Sequence, residues 1–355
     1  MILKKVGFNM NSLILKKELL IKLTIVALTL WFIWFSNTHF DEYTVRILNN
    51  IAIFVILAVS YNLINGVTGQ FSLEPNGFVA IGAYVTALLL VSPESKQYQY
   101  AIVDPYPFIL TLHANFVVAL LLGGIFSAIL AACLSFPVFR VRGDYLAIVT
   151  LGFGFIIKIL AINVPEATNG SLGLNDIPEF SNLYWTGGIA MIAVIVVLNI
   201  INSKFGRAMK AVRDDEDAAI AMGVNTFKAK TLAFCTSAFF EGVGGGLLAA
   251  LLTSISPDLF DFFFTFQLLI IIVLGGLGST TGAIIGTVLV MGGSEWMRFL
   301  DEPIHLFGYN APAMPGMRMV VFSLGLILIM LFAREGIMGK RELTDFFKPR
   351  KKGDK

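Results

Sequence analysis

Polar side chains crowd into a few places along an otherwise apolar chain. Gln70, Ser72, Glu74 and Asn76 alternate through the segment Gly66-Val-Thr-Gly-Gln-Phe-Ser-Leu-Glu-Pro-Asn-Gly77. Thr150 and Lys158 sit in a second apolar run and Glu241 in a third. At membrane depth such groups line a wet path or hold a polar solute, and an ionisable side chain there is a functional suspect by default. Bond-making chemistry has no comparable support. His39, His113 and His305 are scattered, Cys133 and Cys235 lie inside apolar runs, and no H-E-x-x-H, nucleophile elbow or paired carboxylates occur. G-x-x-x-x-G-K-[ST] is missing as well, so the chain carries no P-loop. The expectation is no catalytic residue, no metal site and no cofactor in this chain.

The elements that must position these groups are membrane spans. Of 355 residues, 56% are hydrophobic and only 14% charged, against about 25% charged in a soluble domain. Mean hydropathy is +0.79, and a net charge of only +2 gives no footprint for nucleic acid. A span needs about 20 mostly apolar residues. Ten segments qualify: 19–36, 46–66, 71–91, 108–138, 143–164, 183–202, 229–255, 262–279, 281–300 and 313–333. The third, fifth, eighth and ninth hold Gly, Pro or polar residues, or are separated by only a residue or two. The basic start (Lys4, Lys5, Lys16, Lys17, Lys22) is long and no A-x-A-like site follows, which reads as an uncleaved first span rather than a signal peptide.

Basic residues set the orientation. With the N-terminus inside, cytoplasmic segments hold the N-terminal lysines, Arg140, Arg142, six basic residues between 204 and 230, and the tail from Arg334 to Lys355. The predicted fold class is all-α, a polytopic transmembrane bundle of about ten spans with both termini cytoplasmic. Its parts are a basic N-terminus (1–18), a membrane domain (19–333) with a cytoplasmic loop at 203–230, and a basic tail (334–355). Similar texture in Asn65–Ala83 and Gly275–Gly286, about five spans apart, predicts an inverted repeat, an arrangement common in transporters.

Each polar place also has a plainer reading. The 66–77 segment is either a broken helix beside a wet cavity, tolerated at membrane depth only inside protein, or a tight turn in which Pro75 starts a helix and Glu74 favours its dipole. Thr150, Gly154 and Lys158 recur every four residues and share a helix face; Lys158 is a functional group or snorkels to the outer surface. The island Ser203–Lys230 reads as a surface helix. Lys210 with Asp214 and Arg213 with Asp217 support it at i, i+4, and Gly223 and Asn225 offer its stop. Its acids Asp214–Asp217 favour a protein contact over an anionic lipid surface. The glycines of EGVGGG (241–246) and of 274–286 give close helix packing or flexible points.

In this order, GVTGQFSL (66–73) with IGAY (81–84), RGDYLAIVTLGFG (142–154) with NGSLGL (169–174), GRAMKAVRDDEDAAIAMGVN (206–225) and LGGLGSTTGAIIG (274–286) resemble the LivM-type permeases of branched-chain amino-acid ABC importers. Where that family runs on from GQFSL with Gly and small or aromatic residues, this chain has Glu74-Pro75-Asn76. The resemblance implies a bacterial inner-membrane subunit without an ATPase of its own. It implies a second, LivH-like permease, two cytoplasmic ATP-binding subunits that use ATP and magnesium, and a substrate-binding protein that delivers leucine, isoleucine or valine. It implies a coupling helix over 207–222, in which Glu216, Ala218, Ala219 and Gly223 match an EAA-like pattern and Arg213 and Asp215 join in contacting the ATPase. Regions 66–77, 143–158 and 274–286 are then broken helices rearranged by coupling, with Gly66, Gly69, Gly154, Gly275, Gly276 and Gly278 as hinge or close-packing points. Gln70, Ser72, Asn76 and Thr150 are expected along the substrate path. Urea or short amides as cargo, or an ATP-independent carrier, are the alternatives; a carrier has no use for the island.

Overall fold

A computed structural model describes residues 24, 26–100, 104–141, 143–301, 304–306, 309–311, 316–333, 335–339 and 342. The basic N-terminus, the start of the first predicted span and most of the basic tail lie outside the described residues.

Helices occupy almost every apolar run. They are α1 (26–39), α2 (Glu42–Asn62), α3 (Pro75–Leu90), α4 (Pro93–Gln99), α5 (Pro107–Thr111), α6 (Phe116–Val138), α7 (Asp144–Asn163), α8 (Pro165–Thr168), α9 (Leu183–Asn202), α10 (Lys204–Asp214), α11 (Glu216–Ala221), α12 (Thr226–Leu252), α13 (Phe262–Gly275), α14 (Thr280–Thr287), α15 (Gly293–Trp296) and α16 (Met317–Phe332). One short antiparallel ribbon, Ile304–Leu306 with Tyr309–Ala311, departs from the all-α expectation. Among the described residues, five helices are long and apolar enough to cross a membrane. The number is seven if α3–α4 and α13 with the helix after it each count as one span, bent by 115° and 119°.

The interrupted patterns resolve in two ways. The third, eighth and ninth predicted spans are these bent elements. The fifth, α7, is an unbroken helix of 20 residues, so region 143–158 is not a broken helix. Gly152 and Gly154 cost helix propensity but leave the backbone ladder whole.

α12 is the axis. It packs along α6, α3 and α2 and is buried over most of its length. Small residues make this possible: a Cβ on Gly82 of α3 would lie 2.0 Å from the Gly242 carbonyl oxygen, and one on Gly245 2.1 Å from that of Val79. The EGVGGG glycines are therefore close-packing residues in an intact helix, where small side chains let backbones touch. α6, α7 and α9 keep apolar side chains such as Leu121, Ile156 and Ile192 exposed outside, as expected of faces turned to lipid.

Candidate functional site

α2 ends because its sequence stops supporting α-helical bonding. The last turn, Leu63–Val67, widens to a π-helix, a form that clusters at functional sites. Thr68 closes it by donating to the Leu63 carbonyl at 2.9 Å. Gly69 then takes φ +70°, and the chain runs without helix to Pro75, the first residue of α3. The backbone in this break is satisfied by side chains. Ser72 N–H donates to Asn65 Oδ1 (2.8 Å), and the Ser72 carbonyl accepts from Tyr61 Oη (2.7 Å) and Asn65 Nδ2 (3.2 Å). Leu73 N–H donates to Thr150 Oγ1 (2.9 Å) and Asn76 N–H to Thr265 Oγ1 (3.2 Å). This is the internal satisfaction that irregular backbone at membrane depth requires. Both sequence readings survive in part: the break is buried in protein, and Pro75 starts a helix, yet Glu74 does not cap it.

Of the expected path residues, Ser72, Asn76 and Thr150 are buried, and Thr150 reaches the break by accepting from Leu73 N–H. Gly154 backs Asn76 so closely that a Cβ there would lie 2.3 Å from Asn76 Oδ1. Gln70 does not join them; its amide turns back to the Thr68 carbonyl at 3.5 Å. Lys158 does not stand alone; it pairs with Asp258 at 2.8 Å.

The second break lies between α13 and α14. Gly276 and Gly278 take φ +118° and +89°, a region open to glycine, and Ser279 Oγ caps α14 by accepting from Gly282 N–H at 3.0 Å. The two breaks meet face to face. Gly278 N–H donates to Asn62 Oδ1 (2.9 Å) and Asn62 Nδ2 to the Ser279 carbonyl (3.1 Å). A Cβ on Gly66 would lie 2.2 Å from Gly278 N.

The charged island reaches this joint. It is two helices rather than one: Asp215 is extended (φ −160°, ψ 110°) and caps α11, accepting from Ala218 N–H at 2.9 Å. The expected continuous helix 207–222 is interrupted because Asp serves the backbone better as a cap than in a helix interior. Arg213, on α10, donates to Asp214 (3.0 Å) and to the Gly66 carbonyl (3.5 Å). Its Cγ would lie 2.4 Å from a Cβ on Gly69. Glu216 pairs with Lys230 of α12 at 2.7 Å, with the Lys230 side chain 3% exposed. Ala219 is buried; Ala218, Ile220, Met222 and Gly223 are exposed.

Below the joint lies a buried acidic centre. Glu74 and Glu241 are 0% exposed. Glu241 Oε1 accepts from Ser237 Oγ at 2.8 Å. Its other oxygen, both Glu74 oxygens, Ser72 Oγ and Asn76 Oδ1 have no hydrogen-bond partner. Buried polar atoms left unmatched are costly, so this is where a second conformation or a polar solute gains most. Among the described residues no three His, Cys, Asp or Glu side chains group to hold a metal ion. Reading the sequence missed Asn62, Asn65 and Tyr61, although polar residues at the end of an apolar run were the available signal.

Apolar helices of spanning length around paired breaks, with a charged pair of helices bolted to the joint, define a multi-pass membrane transport protein. The chain belongs to the family described as "Branched-chain amino acid transport system / permease component", whose model matches residues 43–331. It is 34% identical to the high-affinity branched-chain amino acid transport system permease protein LivM of Salmonella typhimurium, over 82% of this chain and 71% of that protein. It is 33% identical to LivM of Escherichia coli K12 over the same shares, and 23% identical to LivH of Salmonella typhimurium over 88% of this chain and 98% of that protein. No solved structure matches it significantly.

Proposed function

We propose that this chain is the permease subunit of an ATP-driven importer that carries leucine, isoleucine and valine by alternating access. The LivM relatives support the cargo, and the LivH relative supports a paired second permease. Two ATP-binding subunits holding ATP and magnesium, and a substrate-binding protein outside, complete the assembly in this reading. The chain then sits in the bacterial inner membrane with about ten spans, an inverted repeat, and both termini and the 203–230 loop in the cytoplasm.

The observation that carries the mechanism is Arg213, which ties α10 to the first break at Gly66, itself packed on Gly278 of the second. Closure of the ATPase dimer pushes the exposed edge of α10–α11. Arg213 passes that push to both breaks, and Glu216–Lys230 passes it to the base of α12, which carries Glu241. The breaks shift as one body, and the polar atoms of Ser72, Glu74 and Asn76 gain access to the path.

The test is leucine uptake into proteoliposomes holding the complete complex. With Arg213→Ala, leucine carried per ATP hydrolysed drops by roughly tenfold or more, the scale of losing a charge-assisted hydrogen bond. Leucine accumulation by the wild-type complex with ATP withheld overturns the reading in favour of an ATP-independent carrier. ATP-dependent uptake of urea or a short amide but not of leucine replaces the cargo.

A further inference from the structure

One large cavity lies at the far end of α12 from the coupling helices. α12 starts at Thr226, next to α11, and spans about 40 Å at 1.5 Å per residue. Its last residues, Leu251 and Leu252, line the cavity, together with the start of α2 and the segment around α15. The volume is about 590 Å³, within the range of small-molecule sites. In the importer reading, on which this inference rests, the cavity end of α12 faces the outside, where cargo arrives.

The lining has two chemistries. Ile47, Ile51, Leu251 and Met291 give an aliphatic wall. Arg46 and Glu295 bring opposite charges to the same space. Glu295 accepts from Tyr43 Oη at 2.9 Å, and Arg298 donates to that oxygen and covers the Tyr43 ring at 5.1 Å. Tyr43 thus fixes one acid and one guanidinium in the lining. Arg46 differs: among the described residues its guanidinium has no hydrogen-bond or ion-pair partner. A guanidinium is a planar fork matched to a carboxylate, and here it shares one cavity lining with aliphatic side chains and the Glu295 carboxylate.

We propose that this cavity is an entry site for an aliphatic α-amino acid in its zwitterionic form. Arg46 receives the carboxylate, Glu295 the ammonium, and Ile47, Ile51 and Met291 the branched side chain. Each part of the cargo meets a matching surface. A carboxylate or an amine alone meets only half of the site.

The test introduces a single cysteine by Ile47→Cys in a complex whose Cys133 and Cys235 are replaced by serine. It follows modification by a membrane-impermeant maleimide from outside. Leucine at ten times its Kd slows modification about tenfold. At the same concentration 4-methylpentanoate, which lacks the ammonium, and 3-methylbutylamine, which lacks the carboxylate, protect far less. Adding Arg46→Ala removes protection by leucine. Met291→Trp, which fills the aliphatic wall, removes it as well and serves if the Arg46 variant does not copurify with its partner subunits. Leucine uptake by the parent complex with no protection of the introduced cysteine overturns the site and leaves the importer standing. Equal protection by 4-methylpentanoate overturns the zwitterion assignment. Protection in a complex that imports no leucine overturns the function and keeps the site. Loss of binding-protein docking in Arg46→Ala with leucine protection intact makes the patch a protein contact and overturns the proposal.

Discussion

The two helix breaks use the same residue types and are closed by different parts of the chain. The first, after Gly66, is held by side chains from inside the bundle (Asn65, Tyr61, Thr150) and by Arg213 from α10. The second, after Gly275, is held by the segment beyond the last helix. Ile337 and Met338 N–H groups donate to the Leu274 and Gly275 carbonyls, and the Glu342 carboxylate accepts from the Thr280 and Thr281 N–H groups. Only the first break leads into the buried acids Glu74 and Glu241. The contrast assigns different tasks to similar geometry. The first break is joined to α10 and borders the unmatched oxygens of Ser72, Glu74, Asn76 and Glu241, whereas the second leaves Thr280 Oγ1 unmatched; in the importer reading proposed above, the first is the moving part. The second is capped at both helix ends, and in the same reading it is the firm surface against which the first works.

The largest expected effect comes from the contact between the breaks. Gly66→Ala places a Cβ 2.2 Å from Asn62 Oδ1 and from Gly278 N. Backbone cannot yield as a flexible side chain does, so the cost exceeds the ~1–3 kcal/mol usual for overpacking. The variant complex is expected to unfold at markedly lower temperature, or not to be recovered. Gly152→Ala on α7, where the new Cβ meets nothing within 4 Å, is the matched control and is expected to be neutral or slightly stabilising. Equal melting temperatures for the two variants in a detergent thermal-unfolding assay would show that the breaks do not depend on this shared joint.

How much of this was legible depends on distance along the chain. Breaks 66–77 and 274–286 announce themselves by Gly and Pro, whose backbone effects are local. The apolar runs likewise placed the helices, because a span needs only its own composition. Partners did not announce themselves. Asn62 and Gly278 are 216 residues apart, and nothing local in Lys158 points to Asp258. The island misled in a specific way. Its i, i+4 charges suit one helix, but Asp215 followed by Glu216 and Asp217 is also a good helix start, and tertiary packing chose the break. α7 failed in the opposite direction: its glycines suggested a broken helix, but a glycine inside an intact ladder serves packing instead, as Gly154 does against Asn76.

Of intermediate size is the effect of the Glu216–Lys230 pair, which ties α11 to the bundle as Arg213 ties α10. Glu216→Lys leaves the buried Lys230 ammonium facing a like charge, at a cost of about 3 kcal/mol. ATP-driven leucine uptake is expected to fall at least tenfold, with looser retention of the ATP-binding subunits on purification. The swap Glu216→Lys with Lys230→Glu restores the attraction, and more than half of the lost uptake should return. A Glu216→Lys complex that assembles and transports normally removes this residue from coupling.

The smallest effect is expected at the second break, and it sharpens the contrast most. Glu342→Gln keeps an acceptor near the Thr280 and Thr281 N–H groups but removes the charge that favours the start of α14. The loss is about 0.5–1 kcal/mol. If the second break is a fixed surface, that loss appears as a lower melting temperature of the complex, while leucine carried per ATP hydrolysed stays within about twofold of the parent, a factor that corresponds to less than 1 kcal/mol. The Glu216 variant should divide the other way, with transport falling further than its melting temperature alone explains. If Glu342→Gln uncouples transport from hydrolysis as strongly as Glu216→Lys, the tail is a second coupling element. The two breaks are then driven from both sides, and neither is a support for the other.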